Sequence, residues 1–259
     1  MSPKSVLITG ASRGLGLEFV KQILSQTSPP EFLLATCRNP SKADELQAIA
    51  KGNGRIKIIK MDVTKDDEIK AAFEETRRIL GDCGLNLLIN NAAIHSKETA
   101  GVADAGTLES QTRERLQSHF DTNTTAPVLI VKEFLPLLKT AAEKNSSLSM
   151  GSSKAAVVNI SSVMGSVEET LKSNIFNRYH YRATKCALNM LTATMANELK
   201  GLGILVVPIH PGWVKTDMGG PQGDLEKSVS IENCWSTISS LSEESFGKLI
   251  NYDGKVIPW

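Results

Sequence analysis

Short apolar runs alternate with longer amphipathic stretches along almost the whole chain. Residues 6–9, 32–36, 56–60, 85–89, 155–160 and 204–208 are brief, continuous and rich in Val, Ile and Leu. That pattern predicts strands of a parallel sheet covered on both faces, because a half-exposed strand would alternate apolar with polar. Between them, residues 14–26, 41–51, 65–80, about 108–143 and 179–200 carry helical spacing, with a break expected near Pro127. The last of these aligns Leu188, Leu191, Met195 and Leu199 on one stripe. Repeated βα units imply right-handed crossovers, so the expected fold is α/β: one doubly wound parallel sheet flanked by helices.

Bulk properties narrow the setting. At 259 residues the chain suits one α/β domain spanning 1–259, and the polar stretch 145–153 is too short to divide it. Twenty-nine Lys and Arg against 28 Asp and Glu leave a net charge of +1 with no basic stripe, which argues against nucleic acid and anionic membranes as partners. Apolar runs such as 126–131 fall far below the roughly 18 residues of a membrane span. No secretory leader pattern precedes the first strand. Cys37, Cys83, Cys186 and Cys234 form no C-x-x-C pair and no metal spacing, so no metal is expected and the compartment reads as reducing and cytoplasmic.

The first strand runs into Thr9-Gly10-Ala11-Ser12-Arg13-Gly14-Leu15-Gly16, which opens the first helix. Glycines permit a tight turn and let backbone N–H groups reach a pyrophosphate, while the helix dipole favours negative charge. A helix start that uses glycine only for packing is the plain alternative. The spacing is G-x-x-x-G-x-G rather than G-x-G-x-x-G. Gly10 to Gly14 also satisfies G-x-S-x-G, the elbow of serine hydrolases. With nine residues ahead of it, no earlier strand can supply an oxyanion-hole loop, so Ser12 reads as a phosphate ligand. The second strand ends in Arg38 with no acidic residue for a ribose diol, and Arg13 lies in the turn. Two guanidiniums suit a 2′-phosphate, which selects NADP(H) over NAD(H).

Tyr181 and Lys185 stand one helical turn apart. An ammonium beside a phenol is expected to pull its pKa down from about 10 towards neutrality, as a general acid requires. The apolar strand before them ends in Ser161-Ser162, the fourth strand ends in Asn90-Asn91-Ala92-Ala93, and Asn123 lies in a helix. Pro211 to Met218 follows the sixth strand, so these segments gather at the carboxyl ends of strands, where open α/β sheets bind ligands.

Taken in order, these motifs resemble the short-chain dehydrogenases/reductases over essentially the whole chain. The carrying residues are the turn from Thr9 to Gly16, Asn90 to Ala93, Asn123, Ser162, Tyr181 with Lys185, and Pro211 to Thr216. The stretch His210 to Gly220 and the ending Asn251-Tyr252-Asp253-Gly254 … Pro258-Trp259 resemble the sniffer-type carbonyl reductases and the related C-factor proteins. The resemblance implies that Tyr181 protonates a carbonyl oxygen held by Ser162, and that Lys185 tunes Tyr181 and binds a ribose. It also implies that Asn123 holds a water joining Lys185 to solvent. The implied cofactor set is Gly10, Ser12, Arg13, Gly14, Leu15, Gly16, Arg38, Asp62, Val63, Asn90, Ala92, Pro211, Gly212, Val214 and Thr216, with Tyr181 and Lys185. Asp62 and Val63 would meet the adenine, and Thr216 the nicotinamide amide.

Two departures stand out from the family pattern: Ala93 replaces the usual Gly, and the gap from Ser162 to Tyr181 is long, implying an inserted loop at 164–178. The substrate pocket is expected from 93–106, 163–179 and 213–225, with His95, Met164, Trp213 and Met218 as lining residues. The expected activity is NADPH-dependent reduction of aldehyde, ketone or quinone carbonyls. A nucleotide-binding signalling protein of the same fold competes with it, and a hydrolase using Ser12 trails. By analogy alone, pairing through the long helices would give a homodimer or homotetramer.

Overall fold

The computed structural model describes residues 2–95, 106–172 and 177–259. Its strands are β1 (Ser5–Ile8), β2 (Phe32–Cys37), β3 (Ile56–Lys60), β4 (Leu87–Asn90), β5 (Ala156–Ile160), β6 (Leu205–His210), β7 (Leu249–Asn251) and β8 (Val256–Ile257). Its helices are α1 (Gly14–Leu24), α2 (Asp44–Gly52), α3 (Asp66–Leu80), α4 (Arg113–Phe120), α5 (Ala126–Lys144), α6 (Val167–Lys172), α7 (Tyr179–Leu199) and α8 (Lys227–Ser240). The strands form one sheet in the order β3-β2-β1-β4-β5-β6-β7-β8, parallel except for β8. The chain winds outward from β1 to β3, then returns to place β4 on the other side of β1. The carboxyl ends of β1 and β4 therefore flank the crevice where such sheets take ligands.

Alternate residues of each strand feed two cores. Val6, Ile8, Leu33, Val158, Ile160, Val207 and Ile209 pack with Phe19 and Val20 of α1, Leu46 of α2 and Ile231, Trp235 and Ile238 of α8. Leu7, Leu34, Leu88, Val157 and Val206 pack on the opposite face with α3, α5 and α7. The strand positions named here are at most a few per cent exposed, which explains their uninterrupted apolar runs.

Departures from the sequence reading have local causes. The fourth strand begins at Leu87, not at residue 85, because Leu85 N–H is drawn away to Leu137 O at 2.9 Å. Asn86 turns its side chain back to Ser5 and to the carbonyls of Ser153 and Lys154. The 108–143 region divides into α4 and α5 around a π-helical turn, Asp121–Thr125. Pro127 sits at the start of α5, two residues past the π turn. Part of the inserted 164–178 segment is ordered as a 3₁₀ turn (Val163–Gly165) followed by α6, and residues 173–176 lie outside the described residues. Helix α8 and the β7–β8 hairpin close the sheet beyond the last strand expected.

Candidate active site

The glycine turn is shaped by contact. A Cβ on Gly10 would meet Ala92 Cα at 2.9 Å, and one on Gly16 would lie 2.3 Å from Gly10 O and 2.6 Å from Asn91 Nδ2. Both positions thus require glycine for close approach of β1, α1 and the end of β4. Gly14 differs: with φ +59° and nothing within 4 Å, it faces open space at the start of α1. Thr9 Oγ1 accepts from Asn91 N and Ala92 N at 3.0 and 2.9 Å, and Asn91 Nδ2 returns a bond to Thr9 O at 2.9 Å. Asn91, absent from the expected site list, is therefore the side chain that laces the turn to β4. Asn90 instead points between strands, donating to Asn159 Oδ1 at 2.9 Å, so its side chain is turned away from the crevice. These tight positions, the open Gly14 and the exposed N–H groups that begin α1 fit a dinucleotide pyrophosphate.

Beside the turn is a cavity of about 410 Å³ lined by Arg13, Gly14, Leu17, Thr216 and Asp217, among others. Arg13 and Asp217 form an exposed ion pair at 2.8 Å across it. Arg38 is exposed just beyond β2, as a phosphate ligand must be. Asp62 Oδ1 accepts from Thr64 N and Oγ1, and Val63 is buried. After β6, a Cβ on Gly212 (φ +85°) would meet the Leu225 Cδ1 methyl at 2.5 Å, and Thr216 Oγ1 accepts from Gly219 N at 3.0 Å.

Ser162, Tyr181 and Lys185 converge at the ends of β5 and the start of α7. Ser162 Oγ accepts from Met164 N at 3.1 Å and stands beside the Tyr181 phenol. Ser161 points away, donating to Asn189 Oδ1 on α7 at 2.5 Å. Lys185 Nζ is buried, donates to Ile160 O at 2.7 Å and lies 5.6 Å from the Tyr181 ring centroid. The sequence-based expectation about pKa is corrected here. Burial pushes the Tyr181 phenol up to about 12, with the polar Ser162 side chain opposing it, and burial pulls Lys185 down to about 7. Desolvation of the charged form is the leading cause of both shifts.

Asn123 is held by several contacts. It occupies the π turn, a feature common at functional sites, and is almost fully buried. Its Oδ1 accepts from Ile94 N at 2.8 Å, while Nδ2 donates to Ile94 O and Thr184 Oγ1 at 2.9 and 3.2 Å. The side chain thus braces the loop after β4 against α7.

Three histidines line up behind Tyr181. His95 stacks edge-on against the phenol ring at 4.9 Å, His180 lies 5.8 Å from His95, and His119 lies 4.4 Å from His180. Burial, reinforced by Arg178, holds His95 neutral down to about 4. Of the other expected pocket residues, Met164 lies two positions after Ser162, in the 3₁₀ turn. Trp213 and Met218 are each 40 % exposed beyond β6, with Trp213 Nε1 donating to Gly219 O at 2.8 Å. Residues 96–105 of the expected pocket lie outside the described residues. Among the described residues there is no metal-holding cluster and no helix long and apolar enough to cross a membrane.

The sequence profile of the short chain dehydrogenase family matches residues 4–227. The carbonyl reductase Sniffer of D. melanogaster is 38% identical, covers 99% of this chain and 100% of its own, and superposes with a TM-score of 0.93. A carbonyl reductase from chicken fatty liver, solved with NADPH bound, is 40% identical over 100% of both chains with a TM-score of 0.92. The C-signal protein of Myxococcus xanthus is 30% identical over 68% of this chain and 93% of its own. With the glycine turn, the Ser162–Tyr181–Lys185 cluster and a family match over most of its length, the chain belongs to the short-chain dehydrogenases.

Proposed function

We propose that this oxidoreductase is an NADPH-dependent carbonyl reductase acting on aldehydes, ketones or quinones, working as one domain in the cytoplasm. The observation that carries the reading is the placement of Ser162 beside the buried Tyr181 phenol, with Lys185 Nζ 5.6 Å from the ring centroid. When bound, the reduced nicotinamide supplies the hydride that a carbonyl carbon accepts. Ser162 Oγ then holds the carbonyl oxygen in register. The Tyr181 hydroxyl is fully protonated at neutral pH and lies beside Ser162, so it delivers its proton to that oxygen as negative charge builds. Lys185, when protonated, places a positive charge behind the phenol and favours its release of the proton. Gly10, Gly14 and Gly16 with the start of α1 would seat the pyrophosphate, and Arg13 and Arg38 would take the 2′-phosphate. The NADPH in the chicken relative supports this cofactor choice.

Turnover is tested by loss of the reduced-nicotinamide absorbance against a panel of quinones, dicarbonyls and aldehydes. No loss with any of them, at micromolar enzyme, sinks the reading. Arg38→Asp should weaken NADPH relative to NADH by roughly 10- to 100-fold, because a charge-assisted bond is replaced by repulsion. An unmoved cofactor ratio removes Arg38 from 2′-phosphate recognition. The similarity to C-signal favours one second reading, a nucleotide-binding signalling protein. That reading gains if NADPH binds tightly while the whole carbonyl panel remains unreduced.

A further inference from the structure

Tyr181 sits in the first turn of α7, and its hydroxyl meets a substrate oxygen productively only if the ring does not swing. Thr184 Oγ1 donates to Tyr181 O at 2.9 Å, which fixes the backbone of that turn but leaves the ring free about its own side-chain bonds. Lys185 Nζ and His95 flank the ring itself. Lys185 Nζ lies 5.6 Å from the centroid. His95, in the loop after β4, meets the ring with 4.9 Å between centroids and 79° between planes, the edge-to-face arrangement that aromatic pairs prefer. Burial keeps His95 uncharged down to about 4, so at neutral pH this is a contact of ring on ring and not of a charge on a π face.

The loop that carries His95 is tied to the same turn of α7. Ile94 N donates to Asn123 Oδ1 at 2.8 Å, and Asn123 Nδ2 donates to Ile94 O at 2.9 Å and to Thr184 Oγ1 at 3.2 Å. Asn123 and Thr184 are each no more than 1 % exposed, so water does not compete for these bonds. The contacts run in a closed circuit. They pass from the Tyr181 carbonyl through Thr184 and Asn123 to Ile94, and from the next residue, His95, back to the Tyr181 ring. We infer that His95 is a positioning residue, which holds the Tyr181 ring at the angle from which its hydroxyl reaches a carbonyl oxygen beside Ser162. The inference rests on the reductase reading above and adds a residue outside the Ser–Tyr–Lys cluster. It differs from a pocket-lining role, because His95 acts through Tyr181 and not by touching substrate.

The test compares His95→Ala, which removes the ring, with His95→Phe, which keeps a ring against Tyr181 and drops both nitrogens. Each is measured for hydride transfer in a single turnover with saturating NADPH and a quinone, and for NADPH Kd. The phenolate absorbance of Tyr181 is also followed as pH rises, isolated from Tyr179 and Tyr252 by subtracting the Tyr181→Phe protein. The expected result is hydride transfer roughly three- to tenfold slower in the Ala variant and within about twofold of wild type in the Phe variant. NADPH Kd should be unchanged in both. In wild type the phenol keeps its proton up to about 12. In the Ala variant water replaces the imidazole, so the phenolate should appear at lower pH, while the Phe variant follows wild type. Lys185 on α7, and His180, His119 and Arg178 behind His95, are the same in all three proteins, so a difference between them reports position 95. A Phe variant as slow as the Ala variant overturns the inference, because the nitrogens and not the ring then matter, as they would in a direct substrate contact. Unchanged hydride transfer and phenol titration in the Ala variant overturn it as well. So does an equal weakening of NADPH, the mark of general damage to the crevice. If wild type reduces no carbonyl, the reductase reading falls, and the phenol titrations alone decide whether His95 governs the Tyr181 ring.

Discussion

Tyr181 shows how little a residue's identity says before its surroundings are known. Helical spacing places Lys185 one turn away, and from that alone a lowered phenol pKa follows. Burial reverses it: the phenol is driven up to about 12 and the lysine down to about 7. The proton that a reductase needs is consequently held on Tyr181 at neutral pH. Tyr181→Phe should reduce turnover by about 10²- to 10⁴-fold, the usual share of a general acid. NADPH affinity should stay within a few-fold, since the ring and its edge contact with His95 survive. Single-turnover absorbance and a binding titration on the same preparation check both halves. Turnover near wild type would remove Tyr181 as the proton donor. The identities of Ser162, Tyr181 and Lys185 were legible because their spacing is covalent and local. The occupied side chain of Asn123 and the bracing role of Asn91 were not. Each depends on contacts from residues distant in sequence, such as Thr184 for Asn123 and Thr9 for Asn91.

Among the elements, the turn between β1 and α1 separates two kinds of glycine that look alike in a motif. A methyl at Gly16 collides with backbone, Gly10 O at 2.3 Å, which cannot swing aside as a side chain could. Gly16→Ala should cost about 1–3 kcal/mol, as overpacking does. That lowers the melting temperature by several degrees in a chain of this size and widens the seat for the pyrophosphate. Gly14→Ala meets nothing within 4 Å, and its penalty is the positive φ alone, about 1 kcal/mol. Calorimetric melting of the two variants should rank Gly16→Ala clearly below Gly14→Ala, and the reverse order would contradict the packing described for this turn. Where an element has a strong period of its own, the sequence revealed it, as for α7 and the buried strands. Helix α8 is legible on the same ground, since Ile231, Cys234, Trp235 and Ile238 fall at i, i+3, i+4 and i+7 with polar residues between them. β7 and β8 are three and two residues long, too short to show a period at all. The π turn was foreshadowed only as a break near Pro127. Its position five residues wide ahead of that proline follows from α4 and α5 having to present Asn123 to Ile94 and Thr184.

Across the whole molecule, buried titratable groups link the ligand-binding crevice to stability, and the sign can be worked out for each limb. His95, His180 and His210 are all depressed to about 4 by burial, against about 6.5 for an unfolded histidine. Between pH 6.5 and 4 the unfolded chain takes up protons that the folded one refuses. Their stabilising share is therefore complete above pH 6.5 and is lost as pH falls towards 4. Lys185 extends the trend on the other side: with a folded pKa near 7 and an unfolded one near 10.4, it makes the folded state gain stability as pH rises from 7. Cys234, raised to about 12 by burial, works the opposite way from about pH 9 upwards. The ligand-free protein should thus melt at rising temperature from pH 4 to 6.5 and again, more gently, from 7 to 9. The second limb has a slope no steeper than one proton, about 1.4 kcal/mol per pH unit. Lys185→Met removes the group responsible for that limb while leaving the three histidines in place. Melting curves of this variant should be flat from pH 7 to 9 and still fall below 6.5. A Met variant that keeps the alkaline rise would show that Lys185 is charged in the folded protein well above pH 7, and that burial in this crevice is weaker than its packing implies.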